Sequence, residues 1–283
     1  MSAKWAMFVD VALCHNCRNC WVACKDEHVG NDYPGYAAPQ PKHDHEWIAI
    51  RTVERGQAPM VDVAHLPVMC MNCEDAPCMK GQEDGAVYRR PDGIVIIDPA
   101  KAKGQKEIVS SCPYGAVSWN EELELPQKWY FDAHLLDRGW KEPRCVEVCP
   151  TAAMTSAKLD DGELARKVAT EGWEPLRPEY GTKPRVLYRN LHRYEKAFIG
   201  GTLVSAAGGA MDCVEVARIE LHQGGRVVAS STSDGFGEFK LDGLVPDSGD
   251  CELRVTGPGC KPLRMALQLA KSRYLGELVL EAA

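Results

Sequence analysis

The chain has no run of 18 apolar residues, so nothing in it reads as a membrane-spanning helix. It has no excess of positive charge. Lys and Arg number 33 against 40 Asp and Glu, a formal net charge of −7, which argues against nucleic acid as a partner. It has no Gly-rich dinucleotide fingerprint, no nucleophile with a matching base, and nothing suited to holding a pterin. The opening residues, MSAKWAMFVDVALC, lack a charged segment followed by a long apolar one. No secretory leader is expected, and the cytoplasm is the expected location.

What the chain does have is cysteine: 13 in 283 residues. Disulfides suit small secreted domains, and this chain is neither small nor visibly secreted. Ten of the cysteines fall between Cys14 and Cys149, at short spacings that favour metal or cluster ligation. Cys213, Cys251 and Cys260 are scattered and are expected to be small core residues.

The organisation follows the cysteines. Residues 1–160 hold the clustered ones among short apolar runs such as AMFVDV and DGIVIID, bounded by Gly, Pro or Asp as short strands should be. Residues 161–196 are charged and proline-bearing. Their first third suits an amphipathic helix, and the rest reads as an extended segment wrapping a surface. From 197 to 283 the runs VARIELHQ, RVVASSTS, GEFKL, CELRVTG and LGELVLEA alternate at period two between Gly/Asp turns, which predicts a small antiparallel β-sandwich. The overall class expected is α+β.

Four motifs carry the chemistry. CHNCRNCWVACK contains Cys14, Cys17, Cys20 and Cys24; CMNCEDAPCMK contains Cys70, Cys73 and Cys78. SCPYGAVSW and RCVEVCPTAA each place a cysteine before a proline, at Cys112 and Cys149. Iron–sulfur ligation wants deprotonated soft sulfur, and short gaps let backbone N–H groups point at the cluster. In bacterial ferredoxins the fourth cysteine of a run serves another cluster, and a remote Cys-Pro closes a set begun by a triplet. A zinc site of four cysteines usually uses two Cys-x-x-Cys pairs instead, which makes a structural zinc protein the remote alternative.

These four motifs, in this order over residues 5–158, resemble the iron–sulfur subunits of the molybdopterin oxidoreductases, the dimethyl-sulfoxide-reductase family. The resemblance implies a bacterial-ferredoxin-like fold with motif one paired to motif four and motif two to motif three. One [4Fe-4S] cluster would then be held by Cys14, Cys17, Cys20 and Cys149. A second would be held by Cys70, Cys73, Cys78 and Cys112. The family's remaining motif-three cysteines fall on Ala102, Gln105 and Ile108, and their partner on Gln82, so that cluster is expected to be lost as a unit. The early motif-four cysteines fall on Trp129 and Asp132.

Cys24, Cys145 and Asp132 therefore mark a degenerate third site. It is expected to be empty, with Trp129 filling the space. It could instead hold a three-iron or otherwise unusual cluster using Asp132 with His134 nearby, or a disulfide or other metal.

The stretches DEHVGNDYPGY and GTKPRVLYRNLHRYEK look most like the branch of this family whose complexes act on polyhydroxylated aromatics. STSDGFGEFKLDGL resembles transthyretin-like, carboxypeptidase-regulatory-like sandwich modules. The resemblance implies a large catalytic partner holding a molybdenum or tungsten bis-pterin cofactor. This chain would be a non-catalytic electron-transfer and structural subunit. An iron–sulfur scaffold idle in turnover and the electron-transfer subunit of a respiratory molybdenum reductase are the alternatives.

His43, His45 and His65 lack metal spacing and are expected at the surface or an interface. Tyr33, Tyr36 and Trp47 are expected either against a partner or in the local core. Asp75, Arg89 and Arg90 are expected to be solvated charges.

Overall fold

The computed structural model describes residues 3–81, 84–207 and 210–283. The chain divides into two compact units, residues 1–52 with 65–191, and residues 53–64 with 192–283. Among the described residues no helix is long and apolar enough to cross a membrane.

The first unit is built on a four-stranded sheet in the order Met154–Leu159, Lys4–Asp10, Val186–Arg189, Glu174–Pro175. Lys4–Asp10 runs parallel to Val186–Arg189 and antiparallel to Met154–Leu159. It is the AMFVDV run, buried on both faces from Ala6 to Asp10 rather than alternating, as a covered central strand should be. One face packs Ala6, Phe8 and Leu187 against Trp173 and against Leu164 and Val168 of the helix Asp161–Glu171.

That helix has strong end signals. The Asp160 carboxylate accepts from the Glu163 N–H while the Glu163 side chain accepts from the Asp160 N–H, and Gly172 closes the other end at φ 70°. Residues 161–191 thus belong to the first unit: the helix stands where one was expected, and two short strands stand where an extended wrapping segment was expected. Arg185 fastens them. Its guanidinium is almost fully buried and donates to the Trp5 carbonyl and to the carboxylates of Glu74 and Asp161.

Two short hairpins, Val87–Arg89 with Val95–Ile97 and Ser118–Asn120 with Leu125–Gln127, complete this unit. Four short helices carry or precede the motif cysteines: Asn19–His28, Glu107–Ser110, Ala133–Leu136 and Arg144–Glu147.

The second unit is a two-sheet sandwich. One sheet holds Ala210–Cys213, Ala197–Ala207, Glu238–Leu244 and Arg273–Leu280. The other runs Arg226–Thr232, Arg218–Gln223, Gly249–Thr256, Leu263–Leu269. Leu203, Phe239 and Leu241 from the first meet Ile219, Leu221, Leu253 and Val255 from the second in one core. The five alternating runs all fall on strands.

The expectation of a purely antiparallel sandwich needs correcting, because Arg273–Leu280 pairs parallel with Ala197–Ala207. A local pattern sets which face of a strand is buried, not which neighbour it joins. The turn of the hairpin Ile48–Gln57/Met60–Met69 also belongs to this unit. There Asp62 is held by the guanidinium groups of Arg55 and Arg193, and Arg55 pairs with Asp242 at 2.9 Å. Burial would raise the Asp62 carboxyl, but the two guanidiniums and Lys240 hold it far below the usual carboxylate range. Cys251 is buried in the sandwich core and Cys260 packs against it, as expected, whereas Cys213 is exposed.

Candidate metal centre

Cys14 and Cys17 lie on an irregular loop after the first strand, and Cys20 sits in the first turn of the helix Asn19–His28 that follows. The loop turns sharply because Asn16 and Arg18 adopt left-handed conformations, at φ 54° and 61°. Cys149 follows the helix Arg144–Glu147, its N–H bonded to the Val146 carbonyl at 3.1 Å. These four cysteines, distant in sequence, line a single recess with about 310 Å³ of empty space. Burial pushes the Cys14 and Cys20 thiols up, and the neighbouring thiols, Cys149 among them, add to it; Cys20 reaches about 12. The Asn16 and Trp21 N–H groups point at the sulfurs of Cys14 and Cys20 and oppose the rise.

The second set is assembled from three segments. Cys70 and Cys73 follow the strand Met60–Met69, Cys78 sits in the single 3₁₀ turn Pro77–Met79, and Cys112 follows Glu107–Ser110. Asn72 fixes the loop: it adopts φ 44°, donates to the Cys70 carbonyl at 3.3 Å, and accepts from the Val95 N–H at 3.0 Å. Arg89 donates to the carbonyls of Cys73 and Glu74, so it is a loop clamp rather than a solvated charge.

Burial raises the Cys73 and Cys78 thiols and the charges of Cys70 and Cys112 add to it, so that they reach about 12 and about 11. The Thr182 hydroxyl donates to the Cys73 sulfur, and Tyr114 and Thr182 share a hydrogen bond of 2.6 Å. The Ala116 and Tyr114 N–H groups point at the Cys112 sulfur, against a rise set by burial.

Both donor sets suit an iron–sulfur core. In each set burial holds some of the thiols against ionising, Cys14 and Cys20 in the first and Cys73, Cys78 and Cys112 in the second; a positive group between the sulfurs would offset this, and backbone N–H groups are aimed at Cys14, Cys20 and Cys112. Among the described residues no three His, Cys, Asp or Glu side chains are placed to hold a single metal ion. The thiols of the first set surround a space rather than meet at a point.

The third site is different. Trp129 is fully buried and its indole N–H donates to Asp132 Oδ1 at 3.0 Å. His28 Nε2 lies 3.0 Å from the same oxygen, and the Arg144 N–H donates to Oδ2 at 3.0 Å. Cys24 and Cys145 are buried beside them, their thiols pushed far up by burial and by the Asp132 charge.

His134 does not reach Asp132 by a hydrogen bond. Its Nε2 donates to Glu27 and its Nδ1 accepts from the Tyr130 hydroxyl at 2.8 Å. The lost positions Ala102 and Ile108 are buried apolar residues, and Gln105 donates to the Lys101 carbonyl and to Asp84. Gln82 lies outside the described residues.

Other expectations change. His45 is buried, with Nε2 2.9 Å from the Trp119 carbonyl, whereas Trp47, at 2 % exposure, takes the core role that was one of its two expected places. Arg90 pairs with Asp92 and Asp137 and lies over Tyr36. Asp75 remains at the surface, paired with Lys183. The buried His28 and Lys128 and the half-buried Glu27 had no spacing signal; only their place in the packed first unit marks them.

Residues 61–159 match the model of the 4Fe-4S dicluster domain. The pyrogallol hydroxytransferase small subunit of Pelobacter acidigallici is 45% identical over 260 residues, covering 90% of this chain and 92% of that protein. The thiosulfate reductase electron transfer subunit PhsB of Salmonella typhi is 32% identical, covering 59% of this chain and 83% of its own. The arsenate respiratory reductase iron-sulfur subunit ArrB of a Shewanella species is 25% identical, covering 65% and 95%. With a relative matched along nearly its whole length and the dicluster model matched over residues 61–159, the chain belongs to the iron–sulfur subunit family of the molybdopterin oxidoreductases, of the kind represented by the pyrogallol hydroxytransferase small subunit.

Proposed function

We propose that this chain is the iron–sulfur subunit of a two-component molybdopterin enzyme that transfers or adds hydroxyl groups on polyhydroxylated aromatics in the cytoplasm. The observation that carries this is the match to a transhydroxylase small subunit across both units, not only across the dicluster domain. The large partner would hold the molybdenum or tungsten bis-pterin cofactor and the substrate.

In this reading the chain holds two [4Fe-4S] clusters. Cys14, Cys17, Cys20 and Cys149 hold one; Cys70, Cys73, Cys78 and Cys112 hold the other. Each cluster supplies a one-electron store. The protein supplies the loops that fix the sulfurs, the N–H groups that soften their charge, and the burial that limits water. The Cys24, Cys145 and Asp132 site holds no cluster, because the carboxylate is saturated by three donors and Trp129 fills the space. The sandwich serves as a transthyretin-like docking or spacer module.

A second reading is favoured by the same missing site. Hydroxyl transfer between two aromatics needs no net electron flow, so the clusters would be structural and stay in one redox state during turnover.

Iron and acid-labile sulfide per chain, with electron paramagnetic resonance of the anaerobically purified complex after reduction, test the assignment. Roughly eight irons and two cubane signals are expected. About twelve irons would restore a third cluster at Asp132, and zinc in place of iron would sink the electron-transfer reading. Rapid-freeze spectra during turnover separate the two readings, since a scaffold shows no change in signal.

A further inference from the structure

Lys128 is a cation in the interior of the first unit, only 3 % exposed. Its ammonium donates to the carbonyl oxygens of Val95 and Trp129. Among the described residues it has no carboxylate partner. A buried ammonium is normally paired, because leaving its charge uncompensated is costly. Val95 ties this charge to the second quartet: its carbonyl accepts from Lys128, and its N–H donates at 3.0 Å to Asn72 Oδ1, between Cys70 and Cys73. Lys128 also opposes the effect of burial on the Cys78 and Cys112 thiols.

The cation that lines the recess of the first quartet, Arg18, is exposed to solvent, where its charge is screened. Cys14 and Cys20 are governed by burial, by the other thiols, and by one backbone N–H each. The two sets are otherwise similar in kind: a triplet, a distant Cys-Pro, and N–H groups aimed at sulfur. Lys128 is the feature that separates them.

We infer that Lys128 sets the reduction potential of the cluster held by Cys70, Cys73, Cys78 and Cys112, raising it by stabilising the reduced state; this rests on the two-cluster reading above. Reduction adds one electron to a unit that is already negative, with no bond made or broken. The electron comes from the reduced metal–pterin cofactor of the catalytic partner. The ammonium compensates the added charge without supplying a proton, and it does so in a water-poor interior where its field is weakly screened. Its two carbonyl partners hold it in place, so the compensation is built in before the electron arrives.

The test is a dithionite titration of the intact complex, followed by electron paramagnetic resonance, for the unmodified chain, Lys128→Gln and Lys128→Arg. Glutamine keeps a donor for the carbonyls and removes the charge. At a fixed solution potential the reduced-to-oxidised ratio of one cluster should fall about tenfold in Lys128→Gln, ~59 mV for one electron. The other cluster should change far less. Lys128→Arg should leave both ratios near their original values.

Equal shifts in both clusters, or no shift in either, overturn the inference. If Lys128→Gln does not assemble, Lys128→Arg decides: a retained potential supports the inference and a tenfold change overturns it. Loss of the cluster in both variants also overturns it, since the role would then be structural. An unmodified complex without two cubane signals would instead remove the two-cluster reading itself.

Discussion

The indole N–H of Trp129 donates to the carboxylate of Asp132 at 3.0 Å, and both are the residues that the family resemblance sets at cysteine positions. A tryptophan alone would fill the volume of a lost cluster but leave its own N–H unsatisfied in the interior. An aspartate alone would be a buried charge. Together, with His28 and the Arg144 N–H completing the carboxylate, they form a hydrogen-bonded core where a cube would have stood.

Asp132→Ala should destabilise the first unit by about 3–5 kcal/mol, because three buried donors lose their acceptor at once. Urea unfolding measures this. Iron content should stay unchanged in the folded variant. A fall of roughly four irons per chain would make Asp132 a cluster ligand instead.

Acid should weaken the same region in two stages. Burial depresses His134, so its neutral form favours the folded state, and that stability declines as pH falls below the ordinary value of 6.5. Burial alone would raise Glu27, but hydrogen bonds from Tyr33, His134 and Arg144 outweigh it and hold the carboxyl at about 2. A depressed carboxyl contributes stability that is present above its ordinary 4.5 and lost as pH falls toward 2. The stability gap between the unmodified chain and Glu27→Gln should therefore shrink across that window. A gap that stays constant from pH 6 to pH 3 would contradict the assignment.

Thr182→Val removes a hydroxyl donor from the Cys73 sulfur and a partner from Tyr114. Losing a hydrogen bond to a cluster sulfur should lower the potential of that cluster, with little change in the other. Potentiometric titration of the two signals reads this directly. A shift confined to the cluster of Cys14 would show that Thr182 had been placed at the wrong centre.

Gly56 has φ +86°, and a methyl group there would clash with the Met60 carbonyl oxygen and meet Phe198 Cζ at 2.5 Å. Gly56→Ala combines a left-handed backbone with a clash against main chain, so the second unit should lose about 1–3 kcal/mol. Calorimetry should show that loss, and an unchanged melting temperature would contradict the packing described for the hairpin turn.

Much of the chemistry was legible along the chain. Cys70, Cys73 and Cys78 announce a cluster loop by spacing, and Cys112-Pro113 announces its distant closure, because ligation constrains short stretches of backbone directly. The sandwich runs were legible for the same reason: a half-buried strand must alternate. The helix at 161–171 showed in its amphipathic pattern, while the strands that follow it were missed because Glu174–Pro175 and Val186–Arg189 are short and lie between prolines and glycines.

The sequence by itself determined the cysteine motifs, their order and spacing, and the resemblance that singles out Trp129 and Asp132. Tertiary structure alone decided what those exchanges mean. His28 and Asp132 are 104 residues apart, Arg144 and Glu27 are 117 apart, and Thr182 reaches Cys73 from a segment that looked like a linker. Lys128 carries no signal in the sequence; only the fold buries it, with its ammonium on the Val95 carbonyl. Local spacing records what neighbours on the chain must do together. A charge or a hydrogen bond acts through space, and only the packed chain brings those groups within its reach.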